Sequence, residues 1–149
     1  MVLDLRGLNP APVTPFTEDG DVDYAAIQRL GSWLGSIEGV KSLVVLGHAG
    51  EGTFLTEKEQ LDVIRAFRDS VNDELPIIAG ITKEGNLTAA LEAKDAAEAG
   101  AKGALVYPSH GWLRFGFQPG APQTRYRAIW EESGLEAVSY THLTLPTIC

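Results

Sequence analysis

Two side chains able to exchange protons, His48 and Glu51, stand three residues apart in the glycine-rich stretch Gly47-His48-Ala49-Gly50-Glu51-Gly52. A histidine changes charge near neutral pH, so His48 could take up and return a proton during a reaction. The glycines around it allow backbone N–H groups to approach a small anion closely. The spacing Gly-x-x-Gly-x-Gly is not the Gly-x-Gly-x-x-Gly of dinucleotide sites, and no Gly-Lys-Ser/Thr follows for a P-loop. His48 and Glu51 could both be metal ligands, but only His110 and His142 remain as further histidines, so no metal is expected. With no ligand at all, the same residues read as a tight strand-to-helix turn.

The flanking elements explain why such a loop would be held in place. Leu43-Val44-Val45-Leu46 is a short unbroken apolar run, as in a strand buried on both faces. After the loop, Thr56-Glu57-Lys58-Glu59 has the form of a capping box that opens a helix with the stripe Leu61, Ile64, Phe67 and Val71. Upstream, a short first strand is expected around Ala11–Thr14, limited by Pro10, Pro12 and Pro15. The turn Thr17–Gly20 follows, then a helix capped by Asp21 or Asp23, carrying Tyr24, Ile27, Leu30, Leu34 and Ile37 and ended by Gly39.

Downstream the unit recurs. Pro76–Ile81 reads as a third strand, Thr82–Asn86 as its polar loop, and Leu87–Ala99 as a helix closed by Gly100. Gly103–Tyr107 reads as a fourth strand, Pro108–Pro122 as a long loop, and a helix runs from Pro122 to about Ser133. Trp112, Phe115 and Phe117 suit packing or a lid over that loop. A strand–helix unit recurring about every 30 residues implies parallel strands joined by right-handed crossovers. Two architectures fit this pattern, a (β/α)8 barrel and an open doubly wound sheet. In both, the loops at the carboxyl ends of the strands carry the ligand site.

With 149 residues, 44% of them hydrophobic, the chain suits one domain or part of a larger one. A net charge of −8 speaks against nucleic acid or an anionic membrane as partner. The single cysteine, Cys149, permits no internal disulfide and fits a reducing compartment. No stretch approaches the roughly 18 apolar residues of a membrane span. Met1–Pro10 is interrupted by Asp4, Arg6 and Asn9, so it does not read as a signal peptide. A cytoplasmic location is expected.

Several stretches together resemble one family. Val13-Thr14-Pro15-Phe16 is similar to the first strand of the dihydrodipicolinate synthase / N-acetylneuraminate lyase family. Gly47-His48-Ala49-Gly50-Glu51 followed by Leu55-Thr56 resembles its Gly-Thr-Thr-Gly-Glu…Leu-Ser/Thr signature. Pro76–Gly80 resembles its third strand, and Ala96–Pro108 its run into the fourth. The resemblance implies a class I aldolase or dehydratase acting on pyruvate or a related 2-oxo acid, without a cofactor, on a (β/α)8 barrel. This chain would supply the N-terminal half, about four βα units, of a homo-oligomeric parent. It further implies that Thr14, Gly47, His48, Ala49, Gly50, Glu51 and His110 line one mouth and bind substrate, with His48 in a proton relay.

The sequence also departs from that pattern. The family's two loop threonines are His48 and Ala49 here, and Pro108 is followed by Ser109 and His110 rather than by tyrosine. These differences imply another 2-oxo acid substrate. The family's Schiff-base lysine, on the sixth strand, has no counterpart among Lys41, Lys58, Lys83, Lys94 and Lys102, so no catalytic residue of that kind is expected in this chain. Lys83 alone falls on the ligand rim, where it is expected to be solvated beside Glu84. The resemblance ends at Val138, within the expected fifth strand. Residues 1–138 then form the half-barrel domain, and residues 139–149 an unrelated tail resembling translated adapter read-through, with Tyr140 near the family's fifth-strand tyrosine by chance. The alternation at Thr141–Leu145 could pair along an open edge. A catalytically inactive fragment or a small-anion-binding module is the alternative reading.

Overall fold

The computed structural model describes residues 3–140, apart from the side chain of Leu113. Four strands form one sheet in sequence order: β1 (Leu43–Val45), β2 (Ile77–Ile81), β3 (Gly103–Val106) and β4 (Glu136–Ser139). Every neighbouring pair is parallel, with Val45 opposite Ala79, Ala79 opposite Ala104 and Ala104 opposite Ala137. Helix α1 (Tyr24–Gly35) precedes β1, α2 (Glu57–Ser70) and α3 (Asn86–Ala99) follow β1 and β2, and α4 (His110–Phe115) and α5 (Ala121–Ser133) follow β3. The helices pack in series, α1 on α2, α2 on α3 and α3 on α5. Sequential strand order with a single file of crossover helices is a barrel segment, since a doubly wound sheet reverses its order and uses both faces.

Side-chain alternation sorts the two faces of the sheet. Leu43, Val45, Ile77, Ala79, Ile81, Ala104 and Val106 join the core with Ile27, Val63, Ile64, Phe67 and Ile129. Helix α3 contributes the buried stripe Ala89, Ala93, Ala96 and Ala99, whose small side chains let it sit close against its neighbours. Gly100 ends α3 at φ +114°, a conformation glycine adopts without steric cost. On the concave face, Ile78 is 1% exposed because Leu3 folds across the amino end of the sheet. The Leu3 N–H donates to Glu136 Oε2 at 3.0 Å.

Local capping follows the sequence closely. Asp23 accepts from the Ala26 N–H at 2.8 Å, and Thr56 and Glu59 complete the capping box of α2. Four boundaries differ from expectation. The first strand is not formed at Ala11–Thr14; instead Leu8–Pro10 pairs with the chain that leads into β1 and with β1 itself, the Lys41 and Val44 N–H groups donating to Leu8 and Pro10 oxygens at 2.8 and 2.9 Å. The prolines leave that segment few N–H groups with which to continue a ladder. Helix α1 stops at Gly35, four residues before Gly39, because Val40 must turn back to pair with Leu8.

The expected loop Pro108–Pro122 contains α4, and β4 extends to Ser139, with the Tyr140 N–H donating to Val106 O at 3.1 Å. The Thr141–Leu145 segment lies outside the described residues. Among the described residues no strand pairs with the outer edge of β4, and Val138 on it is 37% exposed. An open parallel edge templates association. The chain is therefore expected to self-associate, with sedimentation velocity showing dimers or larger species at micromolar concentration; a monodisperse monomer with a sharp cooperative melt would contradict this.

Candidate functional site

The loop after β1 is shaped by one close approach. The Leu46 carbonyl oxygen would lie 2.3 Å from a Cβ at Gly52 and 2.4 Å from one at Gly80 on β2. Only glycine at both places lets the chain curl back over the strand end. Leu46 and Glu51 hold φ of 58° and 54°, the sparsely populated left-handed region for residues with a side chain. Thr14 is buried and donates its hydroxyl proton to Gly50 O at 2.7 Å, pinning the loop from the leading segment. The Glu51 and Gly52 N–H groups donate within the loop, to His48 and Gly47 oxygens. Among the described residues, those of Ala49 and Gly50 donate to none.

Four rings gather beside this loop. The His48 ring lies 4.2 Å from that of Tyr107, 6.0 Å from Tyr140 and 6.4 Å from His110, and the two tyrosines are 4.9 Å apart. The His48 N–H donates to the Tyr107 hydroxyl at 3.2 Å. Burial pushes the Tyr107 phenol up and the Tyr140 charge adds to this, against the His48 N–H, which favours the phenolate. The structure thus brings Thr14, Gly47, His48, Ala49, Gly50 and His110 to one rim, with Glu51 exposed at its edge. Among the described residues no group of three or more His, Cys, Asp or Glu is placed to hold a metal.

Three participating residues were not singled out from the sequence. Tyr107, at the end of β3, has only the pattern of a strand residue in the sequence. Arg125 on α5 is 1% exposed, and its guanidinium donates to Tyr107, Glu84 and Lys83 oxygens at 3.1, 3.1 and 2.7 Å. Its position one helical turn before the buried Ile129 was the available signal. Burial pulls the Arg125 pKa down, opposed by Glu92 and Glu84.

Glu84 is the third. It accepts from Ser109 Oγ at 2.6 Å, His110 Nδ1 at 2.7 Å, and the His110 and Gly111 N–H groups at 3.2 and 3.4 Å. Burial acts to raise its pKa, but these four donors outweigh it and hold the carboxyl at about 2. Lys83 consequently pairs with Glu57, at 3.3 Å, rather than standing beside the Glu84 carboxylate. A separate groove between α2 and α3, about 210 Å³ and lined by Glu57, Gln60, Leu61, Leu91, Glu92 and Asp95, does not include these rings.

The model of the dihydrodipicolinate synthetase family matches residues 4–144. The chain belongs to that family. It is 42% identical over 102 residues to a 4-hydroxy-tetrahydrodipicolinate synthase of Salinibacter ruber, covering 68% of this chain and 33% of that relative. The dihydrodipicolinate synthase of Agrobacterium tumefaciens superposes with a TM-score of 0.83 at 29% identity, over 94% of this chain and 46% of its own. A chloride-inhibited dihydrodipicolinate synthase of Acinetobacter baumannii complexed with pyruvate superposes at 0.78 with 28% identity, over 93% of this chain and 46% of its own. The chain therefore spans between a third and a half of these relatives and corresponds to the N-terminal half of the family's barrel.

Two measurements follow. Gly80→Ala forces a Cβ against the Leu46 carbonyl, and urea denaturation should show a loss of about 1–3 kcal/mol; unchanged stability would mean that the loop is not folded this way. Glu84 has a folded pKa of about 2 against an ordinary 4.5. Its hold on α4 is accordingly present above pH 4.5 and lost as the pH falls toward 2. The His110 and Gly111 amide signals should titrate with a midpoint near 2, whereas a midpoint at the ordinary carboxylate value would contradict the capping.

Proposed function

We propose that this chain is the N-terminal half of a Schiff-base-forming lyase or dehydratase that acts on pyruvate or a related 2-oxo acid. The observation that carries this reading is the pair of undirected N–H groups, Ala49 and Gly50, at a glycine-shaped loop beside His48 and Tyr107. Two adjacent N–H groups that donate to no described residue suit a carboxylate, and the buried Tyr107 ring stands beside their loop. The Acinetobacter relative, described as complexed with pyruvate, supports the same ligand class. Ala49 lacks the hydroxyl of the family's threonine, and His48 is larger than threonine, which favours an acid other than that of the synthase itself.

The amine that would form the iminium belongs to the part of the parent beyond this chain, at the end of a sixth strand. An uncharged lysine needs a desolvated site, because an ordinary lysine is almost wholly protonated at neutral pH. None of the five here has one. Lys58 and Lys94 are paired with Asp62 and Glu132, which raise their pKa values. Lys83 is bridged to Glu57, and Lys41 and Lys102 are exposed. The chain alone would thus bind a 2-oxo acid weakly without converting it, in a parent that is homo-oligomeric and cytoplasmic. Among the described residues no helix is long and apolar enough to cross a membrane.

Incubation with pyruvate and borohydride should leave the mass of this chain unchanged, while a parent carrying the sixth strand gains one reduced adduct. A stoichiometric adduct on any lysine of the short chain would move the active site elsewhere.

A further inference from the structure

We infer that His110 is the catalytic base for a hydroxyl proton of the substrate and that Glu84 is its positioning residue, an inference that rests on the function proposed above. The Glu84 carboxylate reaches His110 Nδ1 at 2.7 Å. Ionised at neutral pH, it can only accept a hydrogen bond, so Nδ1 carries a proton, and whenever the ring is neutral the lone pair is on Nε2. The carboxylate also stabilises the imidazolium that forms when Nε2 takes a second proton. This is the division of labour between carboxylate and histidine found in hydrolytic triads.

The dyad is rigidly supported from both of its loops. Ser109 and the His110 and Gly111 N–H groups hold the Glu84 oxygens, while Arg125 binds the Glu84 and Tyr107 carbonyls from beneath. The pair remains open to ligand, with the side chains of His110 and Glu84 62% and 53% exposed.

The position of the dyad indicates which hydroxyl it serves. The His110 ring lies 6.4 Å from that of His48, on the loop to which the proposed function assigns the carboxylate. In a 4-hydroxy-2-oxo acid the 4-hydroxyl lies about 5 Å from the carboxylate carbon, given bonds of about 1.5 Å. That reach is comparable with the separation of the two rings, so an acid held at the β1 loop and extended toward α4 would bring its hydroxyl to the His110 side of the mouth. In cleavage, Nε2 takes the hydroxyl proton and the O–H electron pair becomes the π bond of the departing carbonyl. The C3–C4 bonding pair then stays on the 2-oxo-acid half as the C2=C3 bond of an enamine, the C2 iminium of the parent's lysine taking up the electrons. The imidazolium returns that proton to C3, which restores the iminium and the neutral ring. His48 and Tyr107 remain at the carboxylate end.

The test is nitrogen-15 NMR of the histidine rings in the full 149-residue chain, with pyruvate and 4-hydroxy-2-oxopentanoate as probes. His110 should be the Nδ1–H tautomer in the wild type and should lose it in Glu84→Ala, with the amide signals of β2 unmoved as the control for folding. Both acids should shift the Ala49 and Gly50 amides, and only the hydroxy acid should shift His110 Nε2. An Nε2–H tautomer in the wild type overturns the dyad, as does a hydroxy acid that shifts the loop amides but not the His110 ring. If neither acid shifts the loop amides while the tautomer is as stated, the 2-oxo-acid reading fails, and the assignment of His110 as base for that substrate fails with it.

Discussion

The arrangement of the mouth depends on a backbone contact, the Leu46 carbonyl packed against Gly52 and Gly80. It fixes the angle at which the chain leaves β1, and so decides where the Ala49 and Gly50 N–H groups point. A side chain at either glycine would push the loop away from β2, and the neighbouring rings would lose their common rim. The two left-handed residues, Leu46 and Glu51, are tolerated because this packing and the Thr14 hydrogen bond determine the loop from several sides.

Arg125 does the same for the loops after β2 and β3. Its buried guanidinium ties three carbonyls of the two loops together, and one of them belongs to Glu84, the residue that caps α4. The helix shell thereby sets the geometry of the mouth from behind. Parallel strands bring all the carboxyl ends to one side, but side-chain tethers of this kind decide which groups face one another there.

The architecture was legible because its signals are local. Apolar runs gave the strands, the Thr56–Glu59 box and Asp23 gave helix starts, and Gly100 gave a helix end. Even the choice between barrel and open sheet followed once the order of strands was known. What could not be read depends on distant partners. Helix α4 has its cap 26 residues away in Glu84, and Ser109 at its N-cap position makes no side-chain bond to the helix, so its start does not follow from local sequence. Arg125 looks like any helix-surface arginine until three carbonyls are seen to converge on it. Tyr107 is a strand residue by pattern, and only the turn of the β1 loop brings the His48 N–H to its hydroxyl.

The account stands or falls on whether a 2-oxo acid sits against the loop after β1. The most direct measurement is of intermolecular nuclear Overhauser effects between methyl-labelled pyruvate and the 149-residue chain. The account predicts contacts from the pyruvate methyl group to the ring protons of Tyr107 and His48. Contacts to Leu61 and Leu91 in the groove between α2 and α3 instead, or none at saturating pyruvate, would contradict it.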